Sequence, residues 1–246
     1  MAFKILHDID QNRKLWIVSD THFYHHRLCA GYPDHFDEHR LYMTVEEMNE
    51  DIIENWNRQV GKNDQVIMLG DWMMNVQRSV MRQTFHDIVS KLNGEIIAYV
   101  RGNHDAKLES VLGDEVEFVD GVKFDYHGRH FICQHHDFVE RPLNYTEKRE
   151  DLVLVHGHTH KTARTSKVGD VTQNNVCWET RYALADADEL ASTNEDLIDL
   201  EVSDELYQKL KEKADAAHVD VATVVRNVLK KACDMPEDEL RKILGV

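Results

Sequence analysis

The sequence predicts an α/β protein, a sandwich of two sheets flanked by helices with a small strand-helix-helix appendage at the C-terminal end. Three observations predict it. Five short apolar runs lie between residues 15 and 155, and each has the length of a strand buried on both faces. Segments with helical spacing separate the earlier runs, which favours two facing sheets with helices outside. The last fifth of the chain has a different pattern.

Each of the five apolar runs is followed by residues that can bind a metal. In chain order these are Asp20 and His22 after 15–18, Asp71 after 66–69, Asn103 and His104 after 96–100, His135 and His136 after 130–133, and His156, His158 and His160 after 152–155. Because ligands bind beyond the carboxyl ends of the strands in open α/β sheets, we expect these side chains to converge.

The ligand chemistry indicates which metals fit. Carboxylate, imidazole and amide oxygen suit Mn, Fe, Zn or Ni. No cysteine is among the ligand-type residues that follow the five runs, which argues against a structural zinc site. Two such metals about 3.5–4 Å apart can share a carboxylate and hold a phosphoryl group from both sides. The set of residue types is sufficient for a two-metal site.

The segments between and after the runs complete the predicted domain. Residues 43–58 and 77–92 have the apolar spacing of amphipathic helices. Residues 111–136 predict antiparallel strands with turns at 120–121 and 127–129. Residues 168–182 are expected to return toward the site.

The ordered motifs SDTHF, LGDW, RGNHD, QHHDF and HGHTH resemble those of the calcineurin-like metallophosphoesterase family, specifically its small bacterial and phage members. The resemblance covers about residues 15–180. It implies the two-sheet metallophosphoesterase sandwich and two divalent metal ions, for which we expect Mn, with Fe, Ni, Zn or Mg as alternatives.

The resemblance also implies residue roles. One metal would be held by Asp20, His22 and His160, the other by Asn103, His135 and His158, and Asp71 would bridge them. His104 aligns with the family's acid residue, which protonates the leaving oxygen or holds the phosphate. His25 and Arg101 are predicted to contact substrate.

Two departures from the family pattern bear on these roles. The larger phosphatases have a second Asp after the Gly-Asp, which orients the catalytic His, whereas this chain continues with Trp72. The fourth motif has a second histidine, so His136 competes with His135 as the metal ligand.

The resemblance implies hydrolysis of a phosphomonoester or phosphodiester, with a metal-bridging hydroxide as nucleophile and a small phosphorylated substrate of nucleotide type expected. An alternative is a DNA-associated regulator that binds through the tail and carries the phosphoesterase domain as effector. Fold and metal pair do not distinguish monoesterases from diesterases.

Composition limits the partners. The 246 residues include 29 Lys and Arg against 45 Asp and Glu, a formal charge of −16 that disfavours broad binding to nucleic acid or anionic membranes. The four cysteines are far apart, which indicates reduced thiols rather than disulfides. The first residues lack the apolar core of a signal peptide, and no apolar run approaches the roughly 18 residues of a membrane span. We expect a cytoplasmic protein without a membrane partner.

The C-terminal pattern predicts a second domain. We assign 1–193 to the catalytic domain and 194–246 to an appendage in which a strand at 198–202 precedes two helices. This order resembles a ribbon-helix-helix module over about 197–233, which implies a homodimer. Residues 196–246 contain eight Lys or Arg and twelve Asp or Glu, a net charge of −4, so dimerisation is favoured over DNA reading. Contact with nucleic acid stays open.

Overall fold

A computed structural model describes residues 3–35, 40, 42–142, 151–192, 207 and 209–213. The chain divides into two compact units, Met1–Asp196 and Leu197–Val246. In the second unit the described residues are helical. The rest of the predicted module at 197–233, including its strand, lies outside the described residues, and the predicted domain boundary at 193 stays a prediction.

The described residues of the first unit form eleven strands. They are β1 (Lys4–Ile5), β2 (Leu15–Val18), β3 (Gln65–Met68), β4 (Glu95–Val100), β5 (Phe118–Val119), β6 (Gly121–Tyr126), β7 (Arg129–Gln134), β8 (Leu152–His156), β9 (Thr165–Val168), β10 (Val171–Asn175) and β11 (Ala185–Asp186). Its α-helices are α1 (Val45–Gln59), α2 (Arg78–Val89), α3 (Ala106–Leu112), α4 (Trp178–Arg181) and α5 (Ala187–Ser192). A short 3-10 helix spans His26–Leu28.

The strands form two mixed sheets. One has the order β11-β2-β3-β4-β5, and the other has the order β1-β6-β7-β8-β10-β9. In the first sheet β2 to β5 are parallel, and in the second β7, β8 and β10 are parallel. All five apolar runs lie in these parallel strands, so the predicted α/β sandwich is confirmed.

The alternation of side chains along the strands of the first sheet contributes to two cores. In β2, Leu15 and Ile17 join Phe131 and Val155 of the second sheet in the core between the sheets. Trp16 and Val18 belong instead to the core that the first sheet shares with the helices. Strands buried on both faces need continuous apolar runs, which is why the sequence has no polar alternation here.

The N-terminus of helix α1 is capped by the side chains of Thr44 and Glu47. The Thr44 hydroxyl accepts a hydrogen bond from the Glu47 amide at 3.1 Å, and the Glu47 carboxylate accepts one from the Met43 amide at 2.8 Å. Such reciprocal bonds satisfy amides that the first helical turn leaves unpaired. Along the helix, Met48 and Trp56 are fully buried while Glu46 and Glu54 are exposed, so the predicted amphipathic helix is confirmed.

The prediction of antiparallel strands throughout 111–136 is wrong at its start. Val111 and Leu112 end α3, because Leu108 and Leu112 are buried at helical spacing. The strand β5 then pairs in parallel with β4 in the first sheet. The rest is confirmed, since β6 and β7 form an antiparallel hairpin around a turn at His127 and Gly128 with φ of 46° and 76°.

The two sheets are joined where their parallel strands end. The Ser19 amide, just beyond β2 of the first sheet, donates to the Val176 carbonyl beyond β10 of the second sheet at 3.0 Å. Within the second sheet, the Gly157 amide beyond β8 donates to the His135 carbonyl beyond β7 at 2.8 Å. The loops that carry the candidate ligands therefore meet at one edge of the sandwich. Among the described residues, no helix is long and apolar enough to cross a membrane.

Candidate metal centre

The first predicted set of ligands forms a tight triangle. His22 Nε2 lies 3.1 Å from His160 Nε2, and Asp20 Oδ1 lies 3.7 Å from the first nitrogen and 3.5 Å from the second. Ligand atoms bound at about 2.1 Å to one ion are separated by about 3–3.5 Å. Within the described residues, Asp20 Oδ1 is buried and accepts no hydrogen bond. An oxygen in that position is suited to a cation.

Asp71 lies between the two predicted sets. Its Oδ2 is 3.5 Å from His22 Nε2 and 3.6 Å from His135 Nε2. Its other oxygen, Oδ1, accepts a hydrogen bond from the His104 backbone amide at 2.9 Å. One carboxylate oxygen is thus held by the protein while the other faces both groups of imidazoles.

The second predicted set also converges. His135 Nε2 lies 2.9 Å from Asn103 Oδ1, and the rings of His135 and His158 have centroids 5.1 Å apart. His135 Nδ1 is 2.8 Å from the Leu69 carbonyl, which fixes the proton on Nδ1 and leaves the Nε2 lone pair directed at the cluster. His136 joins His135 and His158 in a group whose ligand atoms all lie within 4.8 Å of one another.

The backbone of the ligand loops is unusual. Five of the predicted ligands have left-handed φ angles, namely Asp20 at 59°, His22 at 49°, Asp71 at 55°, His158 at 69° and His160 at 49°. Such angles are costly for residues other than glycine. Gly102 is required for a steric reason, because a Cβ there would lie 2.1 Å from Asp71 Oδ1. The loops are packed against each other through their backbones.

Burial keeps two of the histidines in the form that can bind a cation. Desolvation, the Arg40 charge and the neighbouring imidazoles lower the pKa of His22 well below its usual value. Desolvation also lowers the pKa of His135, although the Asp20 carboxylate opposes it. Both rings are therefore neutral near pH 7, as metal ligands must be.

The buried carboxylates experience opposite effects. Desolvation, together with the charges of Asp20 and Asp105, raises the pKa of Asp71 to about 8. Asp20 is also desolvated, but the His135 and His160 charges outweigh this and lower its pKa. Two carboxylates so close in a buried site repel each other, and nearby cations relieve that repulsion. The donor types, spacing and uncompensated charge fit two divalent cations, one on each side of Asp71.

The family assignment follows from the same segment of chain. Residues 14–178, which span more than half of the sequence and contain every predicted ligand, match the model described as the calcineurin-like phosphoesterase superfamily domain. The chain belongs to this superfamily. Phosphoesterases are hydrolases, so the matched domain belongs to a hydrolase family, as the motifs predict.

Two relatives extend the comparison. The chain is 31% identical over 148 residues to an uncharacterized protein of Methanocaldococcus jannaschii, a match that covers 60% of this chain and 70% of that protein. A crystal structure of a protein of unknown function from Aquifex aeolicus is similar with a TM-score of 0.50 and 21% identity, and the match covers 73% of this chain and 98% of that one. This second likeness supports the fold.

The predicted acid residue lies at the rim of the phosphoesterase centre. The His104 side chain is 43% exposed, and its Nε2 lies 3.9 Å from Asp71 Oδ2. Its ring centroid is 5.7 Å from that of His22. The His104 side chain is therefore partly exposed to solvent beside the cluster.

The two predicted substrate contacts have different surroundings. His25 is buried, its ring centroid lies 5.3 Å from that of His22, and desolvation and the Arg40 charge lower its pKa to about 4. Arg101, by contrast, donates two hydrogen bonds of 2.6 Å to Glu109 and forms an ion pair with Asp120. Its partners give it a structural role, so a contact with substrate stays a prediction without support from its geometry.

Three residues that support the site are missing from the predicted set. Asp105 accepts hydrogen bonds from the amides of Asp71, Trp72 and Gly102 at 2.8–3.0 Å, which joins two ligand loops. An Asp directly after Gly102-Asn103-His104 was the signal for it. Buried Glu179 accepts from His160 Nδ1 at 2.9 Å, and buried Arg40 donates to Glu179 and to the Thr21 and Asp20 carbonyls.

The Glu179 contact changes the charge of its partner. Desolvation would lower the pKa of His160, but the hydrogen bond and the charge of Glu179 outweigh it and raise the pKa to about 9. Burial would raise the pKa of Glu179, yet the Arg40 charge and His160 lower it to about 2. A cation would bind His160 Nε2 only by displacing its proton, while Glu179 keeps the proton on Nδ1 and fixes the orientation of the ring.

Proposed function

We propose that this protein is a dinuclear metal-dependent phosphoesterase that hydrolyses a phosphomonoester or phosphodiester of nucleotide type. The observation that carries the proposal is the position of Asp71 Oδ2, which lies 3.5 Å from an imidazole of one ligand set and 3.6 Å from an imidazole of the other. Membership of the phosphoesterase superfamily supports the reaction class. We propose Mn as the cation, with Fe, Ni, Zn or Mg as alternatives.

The residues divide the work as follows. Asp20, His22 and His160 would hold one cation, Asn103, His135 and His158 would hold the other, and Asp71 would be shared between the two sets. Bound cations would supply positive charge to the phosphoryl oxygens and lower the pKa of bound water. His104, at the rim, donates a proton or hydrogen bond to the leaving oxygen, and neutral His25 donates a hydrogen bond to a phosphoryl oxygen.

A groove lined in part by the segment that follows His22 supports the proposal of a nucleotide-type substrate. It has a volume of about 750 Å³ and is lined in part by Tyr24, His26, Tyr32 and Asn75. The rings of His26 and Tyr32 are 5.1 Å apart, and Tyr24 follows His22 by two residues. Aromatic faces with nearby amides suit a base, which stacks on rings and forms hydrogen bonds at its edges.

The alternative of a DNA-associated regulator has less support. Its DNA-reading segment, residues 198–202, lies outside the described residues, and the net charge of −16 disfavours broad contact with phosphate backbones. We propose instead a cytoplasmic homodimer formed through residues 197–233, with no membrane partner.

The proposal is tested by metal analysis and a substrate panel. We expect the purified full chain to bind two Mn²⁺ ions and to hydrolyse nucleotides or cyclic nucleotides faster than aryl phosphates. Asp71→Asn should lose more activity than removal of any single other ligand, because Asp71 contacts both cations. Asp170→Asn, in the exposed turn between β9 and β10, is the matched control and should behave as wild type.

Two results would contradict the proposal. Full metal occupancy with a wild-type rate in Asp71→Asn would exclude the shared carboxylate. Hydrolysis that persists unchanged after complete removal of divalent metal would exclude the metal-dependent reaction.

A further inference from the structure

A carboxylate outside the family's motifs faces the second ligand set. Glu140 Oε2 lies 3.3 Å from His158 Nε2, and Glu140 Oε1 lies 3.1 Å from His136 Nδ1. The first distance is within the range of about 3–3.5 Å that separates two ligands of one ion. His158 Nε2 is a candidate ligand atom, so Glu140 adds an anionic oxygen to a group of imidazoles that already converge.

The segment that carries Glu140 is fixed by side-chain hydrogen bonds. Asp137 Oδ1 accepts from the amides of Val139 and Glu140, both at 2.8 Å, which closes a tight turn. Behind this turn, Gln134 Nε2 donates to the carbonyls of His136 and Arg141 at 2.9 Å. Side chains from β7 and from the turn itself thus fix the backbone position of Glu140.

The same turn is anchored to the sheet. Phe138 is 2% exposed and packs with Ile132, Leu152 and Leu154 on the outer face of the second sheet. Its amide donates to Gln173 Oε1 on β10 at 2.9 Å. An exposed Glu on a loose loop would have no fixed position, whereas here the backbone on both sides is held by packing and hydrogen bonds.

We propose that Glu140 is an additional ligand of the second cation and that His136 positions it. The inference rests on the proposed two-metal function. It assigns separate roles to the neighbouring histidines. His135 binds the cation through Nε2, which lies beside Asn103 and Asp71, while His136 holds the far oxygen of Glu140.

The additional carboxylate has a chemical consequence for the choice of metal. With Asp71 and Asn103 it would give the second site three oxygen ligands beside two imidazoles. Oxygen-rich sites suit Mn and Mg, whereas sites dominated by nitrogen suit Zn. Loss of Glu140 should therefore weaken Mn²⁺ more than Zn²⁺.

The test is a calorimetric titration of metal-free full-length protein with Mn²⁺ and, separately, with Zn²⁺. Metal analysis of the loaded protein gives the number of ions bound. We expect wild type to bind two Mn²⁺ ions. Glu140→Gln should retain the first and bind the second about 10-fold to 100-fold more weakly, with a smaller loss for Zn²⁺. His136→Gln should weaken binding of the second ion by a smaller factor than Glu140→Gln does. Glu54→Gln, an exposed residue of α1, is the control for loss of one charge.

The outcomes separate this inference from the proposed function. Equal affinity for the second Mn²⁺ in wild type and Glu140→Gln would overturn the role of Glu140 and leave the two-metal function intact. A larger loss in His136→Gln than in Glu140→Gln would make His136 the ligand and also overturn the inference. Failure of wild type to bind a second ion would contradict the proposed function itself. Thermal unfolding of each metal-free variant verifies that the substitution leaves the fold unchanged.

Discussion

His104 illustrates how one residue can contribute to the site in two separable ways. Its backbone amide donates to Asp71 Oδ1, while its ring stands at the rim, 43% exposed. Replacement of the side chain leaves the amide in place. The position of Asp71 should therefore survive a substitution that removes the imidazole.

This separation gives a prediction for His104→Ala. We expect the variant to keep both metals and to lose about 10²–10⁴-fold in turnover on a substrate with a poor leaving group, because general acid catalysis is worth about that much. The loss should be smaller on a nitrophenyl ester, whose leaving group needs no proton. Metal content and kcat on the two substrates are the measurements, and equal losses on both would exclude the acid role.

At the scale of single residues, the sequence predicts the candidate metal ligands better than the residues that hold those ligands in place. All seven predicted ligands lie in the cluster because each follows a strand within four residues, and the strand ends meet. Arg40 and Glu179 have no such positional signal, since a buried Arg–Glu pair forms only when distant segments pack together. Arg101 shows a further limit of the sequence, because adjacency to a motif does not reveal Glu109 and Asp120 as its partners.

At the scale of elements, Arg101 connects three parts of the chain. It follows β4, pairs with Glu109 of α3 and with Asp120 between β5 and β6, and donates to the Phe118 carbonyl at 3.2 Å. The hydrogen bond from Arg101 lowers the pKa of Glu109, with burial opposing and the guanidinium charge assisting. This ion pair holds the helix that follows Asn103 and His104.

The lowered pKa predicts a pH dependence of stability. The unfolded Glu109 has the ordinary value of 4.5, so the unfolded state binds the proton first as the pH falls. The contribution is complete above pH 4.5 and is lost as the pH falls through the lower folded value. Glu109→Gln should therefore destabilise the protein near pH 7 and have less effect near pH 3. The Glu109 side chain is 32% exposed, so we expect less than about 1 kcal/mol.

Chemical denaturation across that pH range measures the effect, with Glu54→Gln on exposed α1 as the comparison. A difference between Glu109→Gln and wild type that grows toward acid pH would have the wrong sign and would reject the ion pair as its cause.

The elements themselves are largely predictable, with one instructive failure. The strands and the two long helices follow from apolar spacing, because burial on one or two faces sets the period. The stretch 111–119 misleads because Val111, Val116, Phe118 and Val119 have the composition of strands. Burial of Leu108 and Leu112 under α2 determines the helix α3 instead, a tertiary effect that local composition does not contain.

At the scale of the whole molecule, every predicted ligand lies before residue 161, within the unit Met1–Asp196. The second unit begins at Leu197. The predicted dimer module would therefore be removable without loss of a ligand.

Truncation after about Thr193 should convert the predicted homodimer to a monomer that still binds metal and hydrolyses small substrates. Light scattering and a rate assay on the shortened chain are the measurements. A dimer that persists would reject the module as the interface. A folded monomer without activity would show that the tail contributes to the catalytic domain.

The left-handed backbone of five predicted ligands has a consequence for protein engineering. Each such residue costs on the order of 1 kcal/mol or more, so the five together amount to about 5 kcal/mol, comparable with the whole net stability of many domains. A redesign that selects only for thermal stability would replace these residues with glycine and would score each replacement as an improvement. We expect the most stabilised descendants of this chain to bind no metal, because the positions that weaken the fold are the predicted metal ligands.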